Sequence, residues 1–412
     1  MIENLINLIR NLDLWFEQQE FKGFDPYDIK GLELSLKIQK FGDKYLIGKV
    51  IRKLYFSFID LFPNYSRKLL RVKPLENAKG IGLVLNSYAK LYKMTGDKVY
   101  LEKALIYANW LKENRGKNYS GYNWGYPFDW QSVIFIPKGT PSSVVTYTVG
   151  SGFWELYQAT NEKEYLDICV RICDFFTKDL NITYEDKDKI CHSYTPIDDY
   201  QVHNANLFVG EFLVKIGKEV NNESWFARGI KCANFAIYQQ QKEGFIPYWG
   251  LDQTNKYSNG KIKNDHYHMG FEIRMLYSIW KMTNLSYILN SWQKYFNFYL
   301  NYMFNEQGIP KFTMDSYYPV NIHSIAESIL CLSKVNEYYK NLNDKIENII
   351  KFATEELEFK EGQYCYLIKK LPFIGEYKLK IPMYRWGQAW MLLALTTYLE
   401  TINENKKNIN VT

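Results

Sequence analysis

An all-α chain wound into six helical hairpins, an (α/α)6 toroid with short β-prone segments in its loops, is the fold that the sequence predicts. Three observations carry this. First, segments rich in small and apolar residues recur at about 79–94, 140–159, 201–219, 265–283, 319–338 and 384–401, each with unusual polar side chains at its start. Equivalent points at Ile81, Pro141, Asn204, Tyr267, Asn321 and Tyr384 lie 60, 63, 63, 54 and 63 residues apart, a repeat of about sixty. Second, a helix stop and a new helix start recur as Thr95-Gly-Asp-Lys-Val-Tyr-Leu101, Thr160-Asn-Glu-Lys-Glu-Tyr-Leu166, Asn221-Asn-Glu-Ser-Trp-Phe226, Thr283-Asn-Leu-Ser-Tyr-Ile288 and Asn341-Leu-Asn-Asp-Lys-Ile346. Asn or Gly ends one helix, Asp, Asn or Ser caps the next, and a Tyr, Trp or apolar residue anchors it. Third, long loops of about 20 to 40 residues join one hairpin to the next. An open superhelix is the alternative, but helical-hairpin repeats that stack that way usually run nearer 34 to 47 residues.

In chain order, residues 1–20 read as a helix and Gly23-Phe-Asp-Pro-Tyr-Asp28 as a short aromatic-acidic loop. Helices follow at about 30–41 and 44–62, the latter available to complete the outer ring. Residues 1–412 therefore read as a single toroid domain, with 1–62 as N-terminal helices completing the outer ring. The six small-residue segments form the inner ring. Glu243-Gly-Phe-Ile-Pro-Tyr-Trp249 and Gly362-Gln-Tyr-Cys-Tyr-Leu367 are the β-prone pieces of the connecting loops.

Composition sets the class. Hydrophobic residues at 47% supply a large core, and the aromatic share of 17%, with 35 Tyr and 11 Trp, exceeds ordinary usage and suits a lined groove. The net charge of +6 is spread without a Lys/Arg block, which gives no electrostatic case for nucleic acid. Six cysteines (169, 173, 191, 232, 331, 365) form no Cys-x-x-Cys pair, and Cys169 and Cys173 lie four apart on one helix, as buried thiols would. The amphipathic N-terminus has no apolar signal region, and no run approaches the ~18 apolar residues of a membrane span. A soluble cytoplasmic protein without a transmembrane segment is expected, one that could work beside a membrane.

The stretch Tyr122-Asn-Trp-Gly-Tyr-Pro-Phe-Asp-Trp130 packs five aromatic rings around Asp129 with no helical or alternating period. Flat rings stack on sugar C–H faces, and a carboxylate grips hydroxyls or does acid/base work. Tyr122, Trp124, Tyr126 and Trp130 are thus candidate sugar contacts. Of five histidines, His203, His266, His268 and His323 stand at the starts of three inner helices, and His192 in the loop before one of them. Beside them stand Tyr200, Asn204, Asn206, Asp265, Glu272, Tyr317, Tyr318, Asn321, Glu327, Tyr384, Arg385, Trp386 and Gln388. In a toroid the inner-helix N-termini share a face with the long loops, so positive helix ends gather there. His266-x-His268 does not complete a metal set. Phosphate loops, nucleophile elbows and dinucleotide fingerprints are missing, which leaves cofactor-free acid/base chemistry.

The six-hairpin repeat, over most of the chain, resembles the six-hairpin glycosidase and toroid lyase/epimerase group. Arg385-Trp-Gly-Gln-Ala-Trp390 is similar to the Arg-Gly-Gln-Ala-Trp or Arg-Gly-Asn-Gly-Trp box of unsaturated glucuronyl and rhamnogalacturonyl hydrolases, with Trp386 as one extra residue. That likeness implies a Trp390 platform and Arg385 near a sugar carboxylate. His268-Met-Gly-Phe-Glu272 resembles the inner-helix start of N-acylglucosamine 2-epimerases, where histidines give and take protons. The two aromatic-acidic loops resemble those of toroid proteins from surface-polysaccharide gene clusters.

Three functions compete. The first is an enzyme acting on a uronate- or amino-sugar-containing glycan. Hydrolysis would use Asp129 with Asp252, Asp265 or Glu272 as a carboxylate pair. Elimination would use His203, His268 or Tyr126 as a base while Arg385 and Asn204 neutralise a carboxylate. The same bases run reversibly make a sugar epimerase or isomerase. The third is a catalytically silent glycan-binding toroid in polysaccharide or glycoprotein assembly. In each, loop 122–130 is expected to cross the mouth where His203, His268 and Arg385 converge.

Overall fold

The computed structural model describes residues 2–339 and 341–409. Four helices open the chain: α1 (Ile2–Gln19), α2 (Glu33–Lys44), α3 (Leu46–Leu61) and α4 (Pro63–Leu69). Hairpins follow as α5 (Ala78–Thr95) with α6 (Lys98–Glu113), α7 (Ser143–Thr160) with α8 (Lys163–Lys178), and α9 (His203–Glu219) with α10 (Glu223–Tyr238). A short α11 (Leu251–Ser258) occupies the next loop, before α12 (His266–Thr283) with α13 (Ser286–Tyr302) and α14 (Ile322–Val335) with α15 (Asn343–Phe352). A π-helical turn, Tyr384–Ala389, then runs into α16 (Trp390–Ile409).

Helices α5, α7, α9, α12, α14 and α16 each lie against the next, and α16 returns to α5, so the inner ring closes. These helices are buried almost all round, which explains why their sequences are small and apolar rather than striped. Outer helices bury one face only: α8 does so through Tyr165, Ile168, Cys169, Ile172, Cys173 and Phe176. That stripe is why Cys169 and Cys173 sit four apart. All six cysteines are unpaired and buried.

The hairpin turns follow from backbone sterics. Gly96, Asn161, Asn221 and Asn284 all adopt left-handed φ values between 54° and 71°, the region that Gly and Asn enter most cheaply. Asp97 then caps α6 by accepting from the Val99 N–H at 3.0 Å, and Asn222 caps α10 by accepting from that of Trp225 at 3.1 Å.

The sixth outer position is filled by α1 and not by the helix at 44–62. α1 carries a stripe of Leu5, Leu8, Leu12, Trp15 and Phe16 that lies on α16, and its Asp13 accepts from Tyr88 of α5 (2.8 Å) and Lys103 of α6 (2.7 Å). α2 and α3 pack on each other instead, with Ser35 Oγ 2.8 Å from the Tyr55 hydroxyl. Segment 362–367 does enter small antiparallel strands, whereas 243–249 forms no strand and makes a single bridge, Trp249 to Val202. No helix among the described residues is long and apolar enough to cross a membrane.

Candidate functional site

Every inner helix sends side chains from its first turns into one cavity of about 100 Å3: Lys79 from α5, Val144 from α7, Asn204 from α9, Tyr267, His268 and Phe271 from α12, His323 from α14, and Arg385 and Trp386 from the turn before α16. The loops add Tyr27, Tyr126, Phe128, Trp130, Tyr194 and Tyr248. Caps aim three of the polar groups. Asn77 accepts from the Lys79 N–H (3.1 Å), Asp265 from that of His268 (3.1 Å) and Asn321 from that of His323 (3.0 Å), fixing the first turn of each helix. Six positive helix ends therefore face one space.

His268 is held by a second bond. Its Nδ1 lies 2.9 Å from Asp265 Oδ2, which orients the ring and leaves Nε2 for the cavity. His323 is sandwiched, with Tyr267 stacked at 4.6 Å and Trp390 at 4.9 Å, and neither ring nitrogen has a partner among the described residues. Burial, with the charges of Lys79 and Arg385, pushes its pKa well below the usual histidine range, so it is neutral. Lys79 Nζ lies 5.7 Å from the Trp390 ring centre and 5.9 Å from that of Phe271, and makes no ion pair among the described residues. Burial and the nearby Arg385 guanidinium lower its pKa well below that of a free lysine.

Arg385 is already committed. Its Nε and Nη2 donate to both oxygens of Asp25 (2.6 and 2.8 Å), and Asn77 donates to the same carboxylate at 3.2 Å. Asp28 pairs with buried Arg67 beside it (2.7 Å), so loop 23–28 is fastened to the last inner helix and holds Tyr27 against the cavity. Burial raises the tyrosines: Tyr27 to about 12, and Tyr126, Tyr194, Tyr248 and Tyr267 also upward. At neutral pH they donate protons in hydrogen bonds and do not act as bases.

Of the sequence candidates, Tyr126, Trp130, Asn204, His268, His323, Arg385 and Trp386 meet at the cavity. The others lie elsewhere. Asp129 turns away, accepting from the Lys138 N–H at 2.7 Å and closing its own loop. Trp124 is core, donating to Leu111 O at 3.0 Å, and Tyr122 lies under Arg115, 4.3 Å from its guanidinium. His203 points outward to Gln239 (3.0 Å), and burial pushes it down to about 4. His266 is wedged between Ser328 and Tyr299 (2.6 and 2.7 Å), pushed by burial to about 3. Glu272 bonds Asn264 at 2.9 Å and also the Tyr295 hydroxyl. Tyr384 packs on Trp15 and Phe16 of α1, Gln388 bonds Tyr364 and Gly362 backbone, and Trp390 lies beneath His323. A helix turns about 100° per residue, so neighbours such as His203 and Asn204 point in directions about a quarter-turn apart.

No protein-family model matches the sequence, and no curated protein matches it. Solved structures do match in shape. Cellobiose 2-epimerase from Bacillus thermoamylovorans superposes with a TM-score of 0.61 at 12% identity, covering 79% of this chain and 88% of that one. A D-mannose isomerase gives 0.59 at 14% identity over 79% and 87%. An unsaturated glucuronyl hydrolase specific for heparin gives 0.54 at 14% identity over 78% and 86%. The chain has their (α/α)6-toroid fold.

Within the toroid, the residues that sequence reasoning passed over are Tyr27, Lys79, Tyr194, Tyr248 and Tyr267, together with Asp25 and the pairing of Asp265 with His268. One signal was available. Asn77-Ala-Lys79 and Asn321-Ile-His323 occupy the same place in two repeats, a cap followed two residues on by a nitrogen-bearing side chain.

Proposed function

We propose that this cavity is the active site of a carbohydrate-active enzyme that moves a proton at a carbon of one sugar unit, as an epimerase or isomerase. The observation that carries the reading is that two imidazoles and no carboxylate line the cavity among the described residues, His268 oriented by Asp265 and His323 neutral without a partner. Glycoside hydrolysis needs two carboxyl groups flanking the bond. Asp25 and Asp265 each bond a lining residue from behind, the former held by Arg385 and the latter by the His268 imidazole. Size supports a small substrate. About 100 Å3 holds roughly seven waters, which fill roughly 200 Å3 of bulk liquid, the bulk of one sugar ring.

In this reading the walls of Trp130, Trp386 and Phe128 stack on the sugar, and Asn204 and the tyrosines bond its hydroxyls. His268 Nδ1–H donates to Asp265, so Nε2 carries a lone pair and takes the proton from the carbon beside the open-chain carbonyl. The negative charge passes to the carbonyl oxygen, where Lys79 and Arg385 stabilise it. A solvent proton delivered to the opposite face of the same carbon, on the side where His323 stands, inverts it while protonated His268 releases its proton to solvent. If His268 instead returns its proton to the former carbonyl carbon, and the hydroxyl proton of the first carbon passes to the former carbonyl oxygen, the sugar isomerises. The sugar-epimerase and sugar-isomerase likenesses agree with this chemistry. β-Elimination at a uronate is the second reading: it uses the same base, and Lys79, without a carboxylate partner among the described residues, would hold a proton against the uronate and neutralise it.

The test incubates free aldoses, disaccharides and uronides with the protein in heavy water. Deuterium entering a sugar C–H without chain cleavage is the expected result. Unsaturated uronide absorbance would replace it with the elimination reading. Loss of ligand change in every pool, with tight sugar binding retained, would leave only a binding protein.

A further inference from the structure

The hairpin of α2 and α3, left outside the ring, carries a feature that the cavity does not need. α3 buries Gly48 and Ile59 against its surroundings, while Leu46, Ile47 and Leu54 are 80%, 66% and 67% exposed, with Val50 and Ile51 exposed beside them. At 3.6 residues per turn these positions span about 140° of one side of the helix, away from the side that carries Gly48, Tyr55 and Ile59. The stripe extends beyond α3. Phe62 in the turn to α4 is exposed, and the Tyr377 hydroxyl donates to Leu61 O at 3.2 Å, so the strand pair Leu367–Leu371 and Gly375–Lys378 stands next to that turn. The tip of that pair presents Phe373 and Ile374 to solvent.

Charge is concentrated on the same segment. Residues 30–73 hold eleven Lys or Arg against three Asp or Glu, a formal +8, whereas the whole chain holds 51 against 45, a formal +6. The rest of the molecule is therefore slightly acidic, although no contiguous Lys/Arg block marks the segment in the sequence. Lys30, Lys37, Arg52 and Arg67 are paired with carboxylates, but Lys44, Lys49, Lys53, Lys68 and Lys73 enter no ion pair among the described residues. Lys49 and Lys53 border the apolar stripe on α3 itself. An exposed apolar helix face edged by unpaired cations is the pattern of an element that lies in the plane of a membrane surface.

We infer that the α2–α3 hairpin, with the Phe373–Ile374 tip beside it, docks this protein on an anionic lipid bilayer. Leu46, Ile47 and Leu54 enter the headgroup boundary while Lys49 and Lys53 meet lipid phosphates. The site is independent of the cavity chemistry, yet it is tied to the cavity wall: Lys40 of α2 lies 5.9 Å over Phe135, the strand partner of Gln131 next to Trp130. Docking would hold the aromatic loops close to the lipid surface.

Co-sedimentation with vesicles tests this without any turnover. One set is phosphatidylcholine alone, the other an equal mixture with phosphatidylglycerol. The full chain is expected to partition at least about tenfold better onto the anionic vesicles, and less as salt rises. Lys49→Glu with Lys53→Glu should lower that partition about tenfold or more. Leu46→Ser, Ile47→Ser and Leu54→Ser together should abolish it, with both variants keeping the wild-type melting temperature. Equal recovery of the wild-type chain in both supernatants would overturn the inference. So would full binding by the serine variant, or a vesicle-free dimer that this variant converts to monomer, since a second copy would then cover the face.

Discussion

The two mouths of the toroid are both crowded with charge, and they treat it in opposite ways. At the C-terminal mouth, a depression of about 310 Å3 collects Lys90, Lys93, Lys215 and Arg274 with Glu155, Glu211, Glu337 and Glu400. There Lys90 pairs with Glu400 and Glu155, Lys93 with Glu400, Lys215 with Glu211 at 2.7 Å, and Arg274 with the buried Glu327 at 2.6 Å. Lys334 alone of its lysines enters no ion pair among the described residues. At the N-terminal mouth Arg385 is paired, but Lys79, His268 Nε2 and both nitrogens of His323 face a cavity of ring faces and hydroxyls. Paired charge costs about as much desolvation as it regains and holds a ring together; buried ionisable groups left without partners are costly and cluster where a ligand or a reaction uses them. The contrast supports the proposal that the N-terminal mouth carries the chemistry.

The largest test of that contrast is catalytic. His268→Ala should lower turnover in the deuterium assay by about 10²- to 10⁴-fold, while Glu211→Gln at the other mouth should leave it within a few-fold of wild type. Comparable losses at both mouths would dissolve the distinction. Next comes stability. Lys90→Met leaves Glu155 without an ion pair and Glu400 with only Lys93, and should cost about 3 kcal/mol in chemical denaturation. Lys79→Met removes a buried amine without a carboxylate partner among the described residues, so it should leave stability unchanged or raised while impairing turnover.

A smaller effect comes from a histidine that faces the outer ring. Folded His203 sits near 4 and an ordinary histidine near 6.5, so below about pH 6.5 the unfolded chain binds the extra proton. Its contribution is present above that pH and is lost as the pH falls toward 4. His203→Gln should flatten the stability slope in that window by about 1.4 kcal/mol per pH unit, with turnover little altered. The smallest effect belongs to Asp129. Asp129→Ala should cost about 1 kcal/mol through one lost loop bond and leave turnover intact, since its carboxylate bonds the Lys138 N–H.

Much of the molecule was legible in one dimension. Period and turn chemistry are local: Asn161, Asn221 and Asn284 end helices because Asn tolerates left-handed backbone, and the buried inner helices announce themselves by small residues on every side. A ring that closes onto its own first helix brings the six helix starts together whatever their side chains are. The clustering of His203, His266, His268 and His323 at those starts was therefore readable as an address.

What the sequence could not resolve was direction and partnership. His266 and His268 are two residues and about 200° apart, so one is wedged beside Tyr299 while the other reaches the cavity, and only the rotational setting of α12 in the ring decides which. Asp25 meets Arg385 across 360 residues, and α1 displaces the helix at 44–62 from the outer ring because its own apolar stripe fits α16. Those are contacts between distant segments, and no local pattern encodes them. The repeat thus determined that there is a toroid and that the six inner-helix starts share one end, whereas packing alone decided that Asp129 is a loop tie and that Lys79 lines the cavity.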